Sequence, residues 1–221
     1  MRTMMQYLFQ NFNFRGKAKP FRDLLRSIAT EEIAHVELIS NTINILLEGA
    51  TNTTDSVEAT DPNKLPLTAA LNAPNIHHFL VAGQSAMPVD SAGNPWSGSY
   101  VYNSGNLVLD MLYDLILEST GRLQKCRLYE MSNNKAFRST VSYLIVRDLT
   151  HEKAFAKALE TLGVNWGKAM PIPKIETSNM PEIKDMEKRN LHNQIWTFDN
   201  GNGASEVSKI FSGASPFGDG D

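Results

Sequence analysis

The sequence predicts an all-α protein: a bundle of four helices with a long irregular crossover between the second and third, followed by an extended C-terminal arm. Three observations lead there. Apolar residues recur at three- and four-residue intervals in four separate stretches. Short breaks join the first stretch to the second and the third to the fourth, whereas a long Pro- and Gly-punctuated section separates the middle pair. From residue 164 onward Pro, Gly and Asn dominate and the helical period stops.

The elements follow in order. Residues 1–12 read as the closing turns of a truncated first helix, with Met1, Met4, Met5, Leu8 and Phe9 apolar. FNFRGKAK breaks it, and Pro20 suits the first turn of a second helix over 20–48, which stops near Gly49. The polar stretch 50–64 and an irregular section to about 104 are too long for a turn between antiparallel neighbours. Ser104 is a candidate cap for a third helix over 106–132, apolar on most sides at its start. SNNK makes a tight turn, and a fourth helix covers 135–162 and ends at Gly163. Helix, short link, helix, long crossover, helix, short turn, helix is the connectivity of a ferritin-like four-helix bundle. The predicted division is a bundle over 1–163 and an arm over 164–221, whose PIPK and SGASPFGDGD read as extended.

The totals exclude several classes. At 221 residues the chain can hold one domain with a sizeable core, and a net charge of −3 gives no reason to expect nucleic acid or an acidic membrane surface as partner. No apolar run reaches the roughly 20 residues of a membrane span. The single cysteine, Cys126, excludes an intrachain disulfide and a cysteine-rich zinc site, reads as an apolar filler, and fits a reducing, cytoplasmic compartment.

The second helix carries the chemistry. Leu25, Ile28, Ile39, Ile43 and Leu46 mark an apolar stripe, and Glu32 and His35 occupy the positions between Ile28 and Ile39. A carboxylate and an imidazole aimed into a core are costly unless something binds them. In the second hairpin the turn centres near residue 134, with Glu118 before it and His151 after it at nearly equal separation. Both therefore stand at one height, roughly 25 Å from the turn at 1.5 Å per residue. Asp148 lies one turn from His151, so D148-L-T-H151 echoes E32-I-A-H35. Taken singly these residues have plainer readings. Glu32 with His35 fits a buried hydrogen-bonded pair, Glu118 a partner for Arg122 one turn on, and His151 a satisfied core histidine. Their common depth favours convergence on a dinuclear iron or manganese site. His77, His78 and His192 read as structural or solvent-facing. The same mirror applied to the first hairpin puts the height of Glu32 just before Met1, and the first 22 residues contain no acid.

MRTMMQYLFQNFNFRGKAKPFRDLL with ATEEIAHVELI, WSGSYVYNSGNLVLDML with LESTGRLQKCRLYEM, YLIVRDLTHEKAFAKALE, and PIPKIETSNMPEIK with GASP carry a resemblance over nearly the whole chain. The sequence resembles the manganese catalases, the non-haem family with a ferritin-like bundle. The resemblance implies disproportionation of hydrogen peroxide to water and dioxygen at two manganese ions per subunit, with iron the alternative metal. It implies that Glu32 bridges the ions, His35 binds one, and Glu118 with His151 binds the other. Tyr7, Lys125 and Asp148 match residues near the metals in some or all members, and Asp148 stands where some have a longer glutamate. A homo-oligomer is implied as well, the family often forming hexamers. The family's remaining ligand is a glutamate immediately ahead of the segment matched by Met1-Arg2-Thr3, and this sequence lacks it. Either the chain starts upstream of Met1, or it is a truncated paralogue. The competing functions are a di-iron oxidase or peroxidase and a structural or metal-binding paralogue with an impaired site.

Overall fold

The computed structural model describes residues 1–46, 86–90, 92–164, 176–177, 179–196 and 210. Five α-helices lie among them: α1 (Arg2–Gln10), α2 (Lys19–Leu46), α3 (Leu107–Glu130), α4 (Lys135–Thr161) and α5 (Pro181–Lys188). The first four correspond to the four sequence-predicted helices, and no strand occurs among the described residues. Most of the crossover, with His77 and His78, lies outside the described residues. The chain divides into two compact units, Met1–His35 with Tyr100–Asp221, and Val36–Ser99.

In the first unit the helix ends have local causes. The α3 N-terminus is capped by Asn106, whose side chain accepts from the Leu109 amide at 3.1 Å. This corrects the expected Ser104 cap: Ser104 instead donates to Asp110 Oδ1 through its amide and hydroxyl, at 3.0 and 2.6 Å. Asn134 caps α4 by accepting from the Phe137 amide at 3.0 Å, and Gly163 leaves that helix at a positive φ of 79°. Tyr7, Leu24, Leu25, Ile28, Met111, Leu115, Phe155 and Leu159 form one core cluster. Cys126, Tyr129, Val141, Ile145, Val146, Met180 and Ile183 form a second. Along α3 and α4 the stretch between the two clusters holds Glu118 and His151.

The arm contains a helix where the sequence reading places extended chain. Pro181 opens α5 at its first turn, Ile183 is buried, and the Tyr129 hydroxyl donates to Glu182 at 2.5 Å, so α5 docks on the second cluster. An eight-residue helix is marginal alone and owes its stability to that docking.

In the second unit the apolar stripe of α2 is less covered than its period suggests. Ile39 and Leu46 are each 39 % exposed, because periodicity marks an apolar face and says nothing of what covers it. The Asp90 carboxylate accepts from the amides of Ala92 and Asn94, each at 2.9 Å.

Candidate metal centre

All seven sequence-predicted site residues gather in the first unit. Helix α2 supplies Glu32 and His35, α3 supplies Glu118 and Lys125, α4 supplies Asp148 and His151, and α1 supplies Tyr7. Glu32, Glu118, Asp148 and His151 are buried, and each offers a ligand atom such that all four lie within 4.8 Å of one another. His35 joins through Glu32: its Nδ1 is 3.0 Å from Glu32 Oε1, and its ring stacks on that of His151 at 5.8 Å. His151 Nδ1 lies 3.2 Å from Glu32 Oε1 and 3.5 Å from Glu118 Oε1. The Nδ1 atoms of both histidines therefore face the same carboxylate oxygen.

Helix α1 closes the remaining side without an acid of its own. Thr3 donates to Glu32 Oε2 at 2.8 Å, and the Tyr7 hydroxyl donates to Glu118 Oε1 at 2.6 Å. Burial, followed by the charges of Glu118, Asp114 and Glu32, lifts the Tyr7 phenol well above its ordinary value, so it stays a donor. Lys125 and Asp148 form a 2.6 Å ion pair at the edge, with the lysine side chain 23 % exposed and the aspartate 1 %. A Cβ at Gly121 would lie 3.5 Å from Lys125 Nζ and 3.7 Å from Asp148 Oδ2, so the glycine leaves this pair open on one side. Arg122, one turn on from Glu118, reaches Glu152 Oε2 at 2.7 Å.

Two residues escaped the sequence reading. Glu31 lies on the other side of the histidines, its Oε1 3.4 Å from His35 Nε2 and its Oε2 3.2 Å from His151 Nε2. Arg147, fully buried, holds it with a two-pronged grip, Nε to Oε1 at 2.5 Å and Nη2 to Oε2 at 3.0 Å. The available signals were the four-residue spacing of Glu31 and His35 and a lone arginine inside the apolar run YLIVRDL.

The donor set fits a cation. Neither ring nitrogen of His151 has an aligned hydrogen-bond partner although both lie beside carboxylates. Proximity without alignment is the contact of charge with charge, and imidazole with carboxylate is the chemistry of iron and manganese sites. Burial and the crowd of charges show in the proton affinities. Burial opposes protonation of His35 and His151, yet the surrounding glutamates raise both, His151 strongly. Burial, reinforced by Glu118 and Glu32, pushes Asp148 up to about 7 against the pull of Lys125. Burial also works to raise Glu31 and Glu32, but their histidine partners, joined for Glu31 by Arg147, outweigh it and hold both low. Without metal, protons held on the histidines and on Asp148 offset the charge of the surrounding carboxylates.

This has a measurable sign. The raised histidines contribute stability that is complete below their ordinary value of 6.5 and is lost as pH climbs through the folded values. Asp148 loses its contribution between 3.8 and about 7. Glu31 and Glu32 contribute above 4.5 and lose their part on acidification. Chelator-treated protein is therefore expected to melt at a higher temperature at about pH 5 than at about pH 8, whereas metal, which competes with protons, should reverse the order. Thermal melts at the two pH values check this, and a metal-free melting temperature that rises with pH contradicts it.

Comparison with known proteins identifies the family. The family model for manganese containing catalase matches residues 1–220. The chain is 39% identical over 202 residues to the manganese catalase of Bacillus subtilis (strain 168), covering 91% of this chain and 70% of that one. It is 34% identical over 210 residues to the manganese catalase of Lactiplantibacillus plantarum, covering 95% and 72%. Among solved structures it is similar to KatB, a manganese catalase from Anabaena, with a TM-score of 0.59, 25% identity, and coverage of 80% of this chain and 72% of that one. Buried carboxylates and imidazoles from α2, α3 and α4, with a family match along nearly the full length, lead to one conclusion: the chain belongs to the manganese containing catalase family.

Proposed function

We propose that the chain is a manganese catalase that converts two hydrogen peroxide molecules into two waters and one dioxygen at a dinuclear manganese centre. The observation that supports this best is the arrangement of Glu32, His35, Glu118 and His151, with both Nδ1 atoms turned to Glu32 Oε1. Glu32 would lie between the ions, His35 would hold one, and Glu118 with His151 the other. Asp148 lies close enough to be a further ligand or to exchange protons.

When bound, a pair of manganese ions supplies the two electrons that one peroxide accepts and takes two back from the next. The chain's own part is in protons and shape. Oxidation of peroxide to dioxygen releases two protons, and reduction of peroxide to two waters takes up two. Asp148, beside the candidate ligands and paired with Lys125 at the open edge, is placed to hold one between the halves. Tyr7 fixes one oxygen of Glu118 and Thr3 one oxygen of Glu32, which orients the carboxylates. We further propose a cytoplasmic homo-oligomer, with a hexamer as its form. Among the described residues no helix is long and apolar enough to cross a membrane.

Oxygen yield tests the reading. Manganese-loaded protein should release one dioxygen for every two peroxides consumed without an added electron donor. Peroxide loss that requires a donor and yields no oxygen, or activity with iron alone, contradicts it.

A further inference from the structure

The buried pair Glu31–Arg147 touches more than the histidines. Arg147 Nη1 donates to two backbone carbonyls of the C-terminal segment, Leu191 at 2.8 Å and Gln194 at 2.7 Å. Its guanidinium carbon lies 5.1 Å from the centroid of the Trp196 ring. With Nε and Nη2 on Glu31, little of the guanidinium's donor capacity is left unused. Thr150 also donates to the Leu191 carbonyl at 3.2 Å, and Lys153 to Asn193 Oδ1 at 3.0 Å, so the segment is seated along α4.

The pattern at Glu31 is symmetrical. Each carboxylate oxygen meets one arginine nitrogen and one histidine Nε2: Oε1 meets Arg147 Nε and His35, and Oε2 meets Arg147 Nη2 and His151. An imidazole whose Nε2 carries its proton toward a carboxylate presents a bare Nδ1 on the opposite edge, and that edge faces Glu32 in both rings. Neither Nε2 is aligned for a hydrogen bond to Glu31, but both lie within 3.4 Å of it, so a small turn of each ring would give one carboxylate both protons and let it set the tautomer and tilt of two rings at once. A carboxylate this buried keeps its place only if its own partner is fixed, and the fixing comes from 191–196.

On the reading of this site as a metal centre, we propose that Glu31 and Arg147 form a positioning pair that orients both ligand histidines, and that the C-terminal segment Leu191–Trp196 holds this pair in place. The segment thereby becomes part of the metal centre although it contributes no ligand.

The test uses the full chain loaded with cobalt(II) or manganese(II). Glu31→Leu combined with Arg147→Met replaces the pair by apolar groups of similar volume, a change that folds tolerate far better than loss of one partner. Affinity is read by competition with a chelator. In the cobalt form, the exchangeable imidazole N–H resonances shifted by the metal report whether each Nε2 proton has a partner. The wild-type chain should show two such resonances in slow exchange with water. The double variant should bind metal about 10–100-fold more weakly and lose both resonances to exchange, with its circular dichroism unchanged. Trp196→Ala, at a 44 % exposed position, should weaken metal binding about threefold or more and speed the same exchange. A folded double variant with wild-type affinity and both sharp resonances overturns the positioning pair while leaving the metal centre standing. If the double variant does not fold, Trp196→Ala decides alone, and unchanged affinity and exchange there overturn the role of the segment. A wild-type chain that takes up no cobalt or manganese overturns the metal centre and the proposal together.

Discussion

Glu32→Gln is expected to reduce metal content from about two ions per chain to below one, and to lower catalase activity by more than the about 100-fold typical of losing an outer partner. The replacement keeps the side chain's volume and removes its charge. Glu32 is the carboxylate that touches Nδ1 of both histidines, at 3.0 and 3.2 Å, while its second oxygen is occupied by Thr3. An amide at this place can present its oxygen to only one direction and must turn an N–H toward the other. The site then loses the anion that would lie between two cations. Metal analysis after gel filtration, beside the oxygen assay, checks the outcome. Wild-type metal content in a folded Glu32→Gln protein would sink the assignment of this residue.

Arg147→Met alone is expected to cost about 3–5 kcal/mol of folding stability, a large part of the roughly 5–15 kcal/mol of a typical domain. The arginine side chain is fully buried, and its loss strands Glu31 in the interior and leaves the carbonyls of Leu191 and Gln194 without their donor. The histidines soften the penalty at lower pH, where their raised proton affinity keeps them charged beside Glu31. The single variant should therefore be most impaired at about pH 8, and adding Glu31→Leu should recover much of the lost stability. Urea unfolding of the two single variants and the double variant gives the coupling energy. A single variant as stable as wild type, or additive effects in the double, contradicts a tightly paired Glu31–Arg147.

Much of the fold was legible because each helix begins and ends for local reasons. Asn134 and Gly163 bound α4, and an antiparallel hairpin fixes height by counting residues from its turn, which placed Glu118 opposite His151 before any contact was known. The cap of α3 was misplaced by two residues because Ser104 and Asn106 are both good caps, and a local bond from Ser104 to Asp110 in the first turn of α3 decided between them. The stripe on α2 was legible as periodicity and misread as cover at Ile39 and Leu46. Helix α5 is too short for a period to show, and its burial against Tyr129 and Val146 depends on the fold already formed. Glu31 was overlooked for a geometric reason. Its neighbour Glu32 lies on the expected stripe, and one residue of rotation takes Glu31 off it, toward α4 rather than solvent. Arg147 became intelligible only with the C-terminal carbonyls in place, since a buried arginine in an apolar run has no local explanation.

Equilibrium metal content of the full chain, purified with manganese and measured by elemental analysis against protein concentration, tests the central claim most directly. The account expects about two manganese ions per chain, falling with Glu118→Ala as one ion is lost. No stoichiometric metal in a folded, monodisperse protein, or unchanged content in Glu118→Ala, would contradict a dinuclear centre built on Glu32, His35, Glu118 and His151.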